Sequence, residues 1–210
     1  MAAMNTASTE PSARRALCAA CLRPGQTCIC RWVTTLPNQV EVLILQHPLE
    51  VSNAKGSARL LHLSLSNSRL EAGETFEPAH LQALLAPDRC NVLLYPETED
   101  ASLGLAPPQP FDPACLQQPL RLVVLDGTWR KSRKMLYLNP LLQSLPRLPL
   151  RDTPPSHYLI RKAHLPDQLS TLEATVYALA QLENDINKYN PLIDAFDGFV
   201  AQQASYVKTR

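Results

Sequence analysis

The stretch LRLVVLDGTWRKSRKM, residues 120–135, places an acid, a glycine, a hydroxyl and an indole between an apolar run and four cations. Each residue type has a defined chemical use. Asp126 can accept a proton or orient a polar group of a substrate. Gly127 permits a tight turn or a close approach by a ligand. Thr128 can cap a helix that starts at or beside it and runs to Asn139. Asp126 then lies just ahead of that helix start, where negative charge is stabilised. Trp129 can anchor the helix against a sheet or stack on a base, and the residue types leave both open. Arg130, Lys131, Arg133 and Lys134 cannot all share one helix face, but Arg130, Arg133 and Lys134 can. Such a face contacts phosphate or is simply solvated.

A second constellation lies near the start of the chain. CAACLRPGQTCIC holds Cys18, Cys21, Cys28 and Cys30, four of the six cysteines. Four thiolates this close can complete a tetrahedral zinc shell, with Arg23 offsetting their charge. The Cys-x-x-Cys pair has ordinary knuckle spacing and the Cys-x-Cys pair does not. Free or redox-active thiols and an iron–sulfur cluster therefore remain alternatives. Crowding of this kind fits a reducing compartment better than a stapled secreted fold. Cys90 and Cys115 read as ordinary small apolar residues. There is no glycine-rich phosphate loop, no HExxH and no Gly-x-Ser-x-Gly.

The elements that would position these groups follow from hydrophobic pattern. VEVLILQHP (40–48), CNVLLYP (90–96), LRLVVLD (120–126) and SHYLIR (156–161) read as strands. Ala58, Leu61 and Leu65 recur at helical spacing, and residues 77–87 form a short helix with Pro78 in its first turn. STLEATVYALAQLEN (170–184) is the strongest helix, with Ser170 and Glu173 at capping-box spacing. Residues 66–74 read as a turn region and 97–119 as a proline-rich loop. The aromatic tail from Tyr189 should fold back onto the body.

Strands alternating with helices predict an α/β fold with a largely parallel sheet flanked by helices. Ligands of such sheets lie outside the carboxyl ends of the strands, and His47, Glu50, Tyr95 and Asp126 all fall at or just past such ends. The expected organisation is a flexible segment 1–15, a cysteine knuckle 16–35 and a catalytic domain 36–210.

The 210 residues carry a formal charge of +1, so any affinity for nucleic acid must reside in a local patch. No stretch reaches the length of a membrane helix. The N-terminus lacks the apolar core of a signal peptide, and a cytoplasmic protein with no membrane partner is expected.

Asp126-Gly127-Thr128-Trp129 resembles the signature of the DTW-domain family, the tRNA-uridine aminocarboxypropyltransferases. The likeness extends to the cysteine block with Arg23-Pro24 inside it and to His47-Pro48-x-Glu50. It continues through Ser57, Arg59 and Leu60, then Tyr95-Pro96, then Ser170-Thr171-x-Glu173-Ala174. These blocks stand in family order over residues 18–175. Ser57 stands where the family often has threonine, which keeps the hydroxyl.

The resemblance implies S-adenosylmethionine as donor. It implies transfer of the 3-amino-3-carboxypropyl group to N3 of a tRNA uridine, in bacterial relatives position 47 of the variable loop, with release of methylthioadenosine. It also implies a SPOUT-like fold with a C-terminal knot; structural zinc on the four cysteines is the expectation from their own spacing.

On that reading Asp126 is the candidate base or substrate orienter, and Trp129 stacks on or shapes the pocket of the target base. His47 and Glu50 contact substrate or position Arg59. Leu94, Tyr95, Pro96, Asp126, Thr128, Ser170, Thr171 and Glu173 form the donor pocket, with the N–H groups of the helix at Ser170 receiving the donor carboxylate. Glu173 completing only the cap is an equal alternative. The tRNA meets Arg59, Arg130, Lys131, Arg133, Lys134 and the knuckle with Arg14, Arg15, Arg23 and Arg31. A zinc-containing RNA-binding protein without catalysis, and a SPOUT-type methyltransferase, are the rival readings.

Overall fold

The computed structural model describes residues 16–96, 107, 109–156 and 169–207. Within them four strands form one parallel sheet: β1 (Glu41–Gln46), β2 (Ser68–Ala72), β3 (Cys90–Leu94) and β4 (Leu120–Asp126), in the order β2-β1-β4-β3. The two central strands, β1 and β4, are buried along their whole length. That is why they read as mostly apolar runs rather than alternating ones, with the buried Arg121 of β4 paired to Glu41 of β1.

Among the described residues six α-helices accompany the sheet: α1 (Ala58–Ser64), α2 (Pro78–Leu85), α3 (Trp129–Leu138), α4 (Pro140–Gln143), α5 (Thr171–Glu183) and α6 (Asn190–Val207). Side chains alternate across a strand, and the core divides accordingly. Val42, Ile44, Leu122 and Val124 pack with α1, α5 and α6. Leu43, Leu45, Val123 and Leu125 pack with α2, α3 and α4. The result is a helix–sheet–helix sandwich. Burying each such leucine or valine is worth about 1.5–3 kcal/mol against exposure.

Two expectations need correction. Residues 66–74 are not merely a turn region, because Ser68–Ala72 forms edge strand β2, with Val42 opposite Ser68 and Gln46 opposite Ala72. An edge strand with one open side need not be apolar, and the Ser-Arg-Leu-Glu-Ala pattern concealed it. Cys90 and Cys115 are not independent small residues but form a disulfide, with Cα atoms 5.6 Å apart. The bridge ties the start of β3 to the short turn Pro113–Gln117. The strand expected at 156–161 falls, apart from Ser156, outside the described residues.

The aromatic tail folds back as expected, and Tyr189, Phe196 and Phe199 are fully buried. Here α6 also meets the cysteine segment. A Cβ on Gly198 would lie 2.1 Å from Trp32 Cζ3, so only glycine allows this approach. Trp32 Nε1 donates to Gln202 Oε1 at 2.5 Å, and Tyr206 Oη donates to the Gln26 carbonyl at 2.7 Å. Among the described residues no helix is long and apolar enough to cross a membrane.

Candidate active site

The adjacent parallel strands β1 and β4 lead to opposite faces of the sheet, β1 toward α1 and β4 toward α3. Neighbouring strands whose connections diverge in this way open a crevice at their carboxyl ends. Gln46 and Asp126, opposed in register, close those ends.

Asp126 is buried, 5% exposed. Gln46 Nε2 donates to its Oδ2 at 2.9 Å, and Thr171 Oγ1, from the first residue of α5, donates to its Oδ1 at 2.7 Å. The His47 N–H donates to the Asp126 carbonyl at 2.9 Å. The carboxylate is thus fixed from two elements at once.

Gly127 follows because space is short. A Cβ there would sit 3.1 Å from Lys131 Cβ. Thr128 is the N-cap residue of α3 with extended backbone, as expected, but its hydroxyl makes no cap bond. Trp129 is half-exposed rather than a buried anchor, and meets Tyr95 edge-on at 5.8 Å. The buried Arg147 guanidinium stacks on Tyr95 at 5.0 Å and holds that ring in place.

These groups enclose a cleft of about 460 Å³ lined by Leu94, Tyr95, Thr128, Trp129, Ser170 and Thr171, among others. Five of the expected donor-pocket residues and the expected base-stacking Trp129 are therefore brought together, with Asp126 bonded to Thr171 immediately behind them. Exposed Pro96 lies beside Tyr95 and is not part of the lining.

Glu173 is fully buried. It accepts from the Ser170 N–H at 2.7 Å and from Ser156 Oγ at 2.9 Å, and the reciprocal Ser170 bond completes a capping box. Of its two expected roles, the geometry displays the cap. The first turn of α5 is also largely occupied. Leu172 N–H donates to Ser57 Oγ at 3.3 Å and Glu173 N–H to Ser170 Oγ at 3.2 Å. The first turn of α3 carries no side-chain cap.

His47 and Glu50 face a different neighbourhood. The His47 Nδ1 accepts from the Leu49 N–H at 3.1 Å, which leaves Nε2 to donate to Glu74 Oε1 at 2.9 Å. Glu74 also receives Lys134 at 2.9 Å. The hydrogen bond from Lys134, then that from His47, holds its carboxyl below the usual range. Asn139 at the end of α3 anchors the Glu74 loop, donating to the Glu74 carbonyl and accepting from the Phe76 N–H, each at 2.9 Å. Glu50 is buried and pairs with Lys131 at 2.7 Å and Asn53 at 2.6 Å.

The basic face of α3 is therefore partly neutralised at Lys131 and Lys134. Arg130 and Arg59 make no ion pair among the described residues. Beside α3 lies a second cleft, about 640 Å³, lined by His47, Leu49, Glu74, Tyr137 and the four cations of α3.

Gln46 and Glu74 were missed by sequence reasoning. A polar residue ending a wholly apolar strand was a usable signal for Gln46. Glu74 had none, since it follows the unrecognised β2.

The four Sγ atoms of Cys18, Cys21, Cys28 and Cys30 lie within 4.8 Å of one another and none is in a disulfide. The Cys18–Cys30 and Cys21–Cys28 separations are 3.5 and 3.7 Å. Sulfurs around a tetrahedral zinc at ~2.3 Å stand ~3.8 Å apart, so the donor set and spacing fit. Backbone N–H groups of Cys21 and Ala20 bring the Cys18 thiol down to about 6. Burial and the neighbouring thiols push Cys30 up to about 12.

Arg23 turns away from the sulfurs. It donates to the Ala54 and Gly56 carbonyls at 2.6 and 2.8 Å, clamping the loop just before Ser57. Arg31 stacks on Trp32. Arg14 and Arg15 lie outside the described residues.

A parallel α/β domain, a polar cleft at its strand ends and a four-cysteine cluster able to chelate a metal define the molecule. The chain belongs to the DTW domain family, whose model matches residues 15–204. It is similar to tRNA-uridine aminocarboxypropyltransferase 2 of Drosophila melanogaster, at 31% identity over 84% of this chain and 70% of that protein. The proteins of the same name from Mus musculus and Macaca fascicularis are 30% and 29% identical over 84% of this chain. The chain spans 59% of the length of those two mammalian relatives. No solved structure matches it.

Proposed function

We propose that this protein transfers the 3-amino-3-carboxypropyl group of S-adenosylmethionine to N3 of a tRNA uridine, position 47 of the variable loop, releasing methylthioadenosine. The observation that carries the proposal is Asp126, fixed by Gln46 and Thr171 at the strand-end crevice and backed onto a cleft walled by Tyr95, Thr128 and Trp129. Family membership and the names of the relatives supply the reaction class.

Uridine N3 attacks the γ-carbon of the donor. The N3–C bond forms, the C–S bond breaks, its electron pair stays on sulfur and the N3 proton leaves. Nucleophile, carbon and sulfur must stand near a line, so rigid walls matter more than a reactive group. The sulfonium is already an activated leaving group. Asp126 takes the N3 proton. The half-exposed Trp129 face stacks on the uracil. Leu94, Tyr95, Thr128, Ser170 and Thr171 hold the donor, and the uncapped first turn of α3 suits its carboxylate better than the occupied turn of α5.

His47 and Glu50 act by holding α3 and the Glu74 loop beside the substrate. Arg59, Arg130, Lys131, Arg133 and Lys134 meet phosphate. Zinc on the four cysteines is structural and supplies no chemistry to the transfer. The SPOUT-like arrangement with its knot belongs to this proposal, as does a cytoplasmic setting.

Incubation with unmodified tRNA and donor, followed by mass analysis of nucleosides, tests the reading. An aminocarboxypropyl adduct on uridine is expected. A methyl adduct would replace it with a methyltransferase, and binding without any product would leave an RNA-binding protein.

A further inference from the structure

We propose that the second cleft, which adjoins the reaction pocket along α3 and shares Arg130 with it, is a stacking subsite for the nucleotide next to the target uridine, with Tyr137 as its platform. The inference rests on the proposed RNA substrate and adds a residue and a surface to it. Tyr137 is 54% exposed and lines this cleft, while Trp129 is 50% exposed and lines the first. Eight residues separate them on one helix, which is ~12 Å along the axis and ~80° around it. Bases stacked in a strand are ~3.4 Å apart. The two rings therefore cannot hold stacked neighbours, but they can hold neighbours splayed apart, the form in which loop RNA is read.

Arg130 lines both clefts and makes no ion pair among the described residues, so it is placed to take the phosphate between the two nucleotides. Four cationic side chains line the second cleft, of which Lys134 pairs with Glu74 in the lining and Lys131 with buried Glu50 behind it, so the phosphate contact is assigned to Arg130. Leu49, 70% exposed, supplies apolar surface in the same cleft. An aromatic platform beside cations is the composition of a single-strand binding groove.

The test is anisotropy titration of a labelled stem-loop RNA carrying the target uridine, and of the same RNA made abasic on its 5′ or its 3′ side. The proteins are wild type, Tyr137→Ala and Tyr137→Trp. Tyr137→Ala should weaken binding of the intact RNA about 10-fold, with donor binding and melting temperature unchanged. One abasic RNA should bind wild type about 10-fold more weakly and show no further loss with Tyr137→Ala. Tyr137→Trp should retain affinity. Intact binding by Tyr137→Ala, or losses that simply add for both abasic RNAs, would overturn the subsite. Wild type that modifies the RNA while Tyr137→Ala is unaffected removes the subsite alone. Wild type that neither binds nor modifies RNA removes the proposed function, and the subsite with it. The abasic RNAs on wild type read the subsite without any substitution.

Discussion

Thr171 and Asp126, 45 residues apart in sequence, are joined by a 2.7 Å hydrogen bond between the start of α5 and the end of β4. The bond fixes the carboxylate and also seats the helix on the sheet. Thr171→Val keeps the branched shape and removes the donor. It should cost about 1–3 kcal/mol of stability, because a buried charged acceptor loses a partner. kcat/KM should fall at least about 10-fold through misplacement of Asp126. Thr171→Ser should recover most of both. Thermal melts and steady-state kinetics on the three proteins decide it. Unchanged kcat/KM in Thr171→Val would mean that this bond serves the fold alone.

Asp126→Asn separates the two uses of the acid. The amide fits the same space between Gln46 and Thr171. With Asp126 as base, donor affinity by calorimetry should stay within about 3-fold while turnover falls about 100-fold or more. A large loss of donor affinity would instead assign Asp126 to the donor's ammonium group.

The legible parts of this chain were those whose signal is local. β4 and α5 are written in the mostly apolar run LRLVVLD and a Ser-x-x-Glu start, and both appear where expected. β2 was hidden because an edge strand is specified by its partner, here β1, and not by its own pattern. The Cys90–Cys115 pair was hidden for a related reason, since proximity of residues 25 apart depends on the fold. The same logic divides the site. His47, Tyr95, Asp126 and Ser170 declare themselves as polar residues or cap signals at element ends. That Asp126 meets Gln46 and Thr171, or His47 meets Glu74, follows from register and packing that no window contains.

Glu183 predicts an acid limit to stability. It accepts from the N–H groups of Gln39 and Val40 at 2.8 and 3.0 Å and pairs with Lys188, tying the end of α5 to the entry of β1. Burial pushes its pKa up, but the hydrogen bonds from Lys188 and Val40 outweigh this and leave it below the ordinary 4.5. A depressed carboxyl contributes stability that is present above the unfolded pKa and is lost as pH falls through the folded one. Unfolding midpoints should therefore decline below about pH 4.5. Glu183→Gln should be less stable at pH 7 and show a shallower decline, which denaturant titrations from pH 7 to 3 would measure.

Gly198 supplies a prediction opposite to helix propensity. Alanine in a helix interior normally gains about 1 kcal/mol over glycine. In α6 the added Cβ would fall 2.1–2.5 Å from the Trp32 ring carbons. Gly198→Ala should therefore destabilise by about 1–3 kcal/mol as overpacking forces the knuckle off the helix. A gain in stability would mean that the knuckle moves without cost.

The four-cysteine cluster should carry one zinc per chain, measurable by elemental analysis of the purified protein. The knuckle is bonded into the body at several points. Gln202 Nε2 donates to the Cys28 carbonyl at 3.2 Å, and Arg23 clamps the Ala54 and Gly56 carbonyls. That second clamp precedes Ser57, whose hydroxyl accepts from the first turn of α5. Loss of metal therefore reaches the strand-end cleft through a chain of defined bonds, although no cysteine lines it. Chelation, or Cys21→Ser at a 2% exposed position, should lower the melting temperature by several degrees and weaken donor binding with it. Restoring zinc should recover both after chelation, but not in Cys21→Ser. A protein that binds no metal would reassign these cysteines as free thiols, and one that loses metal without any change in melting would remove the structural role of the site.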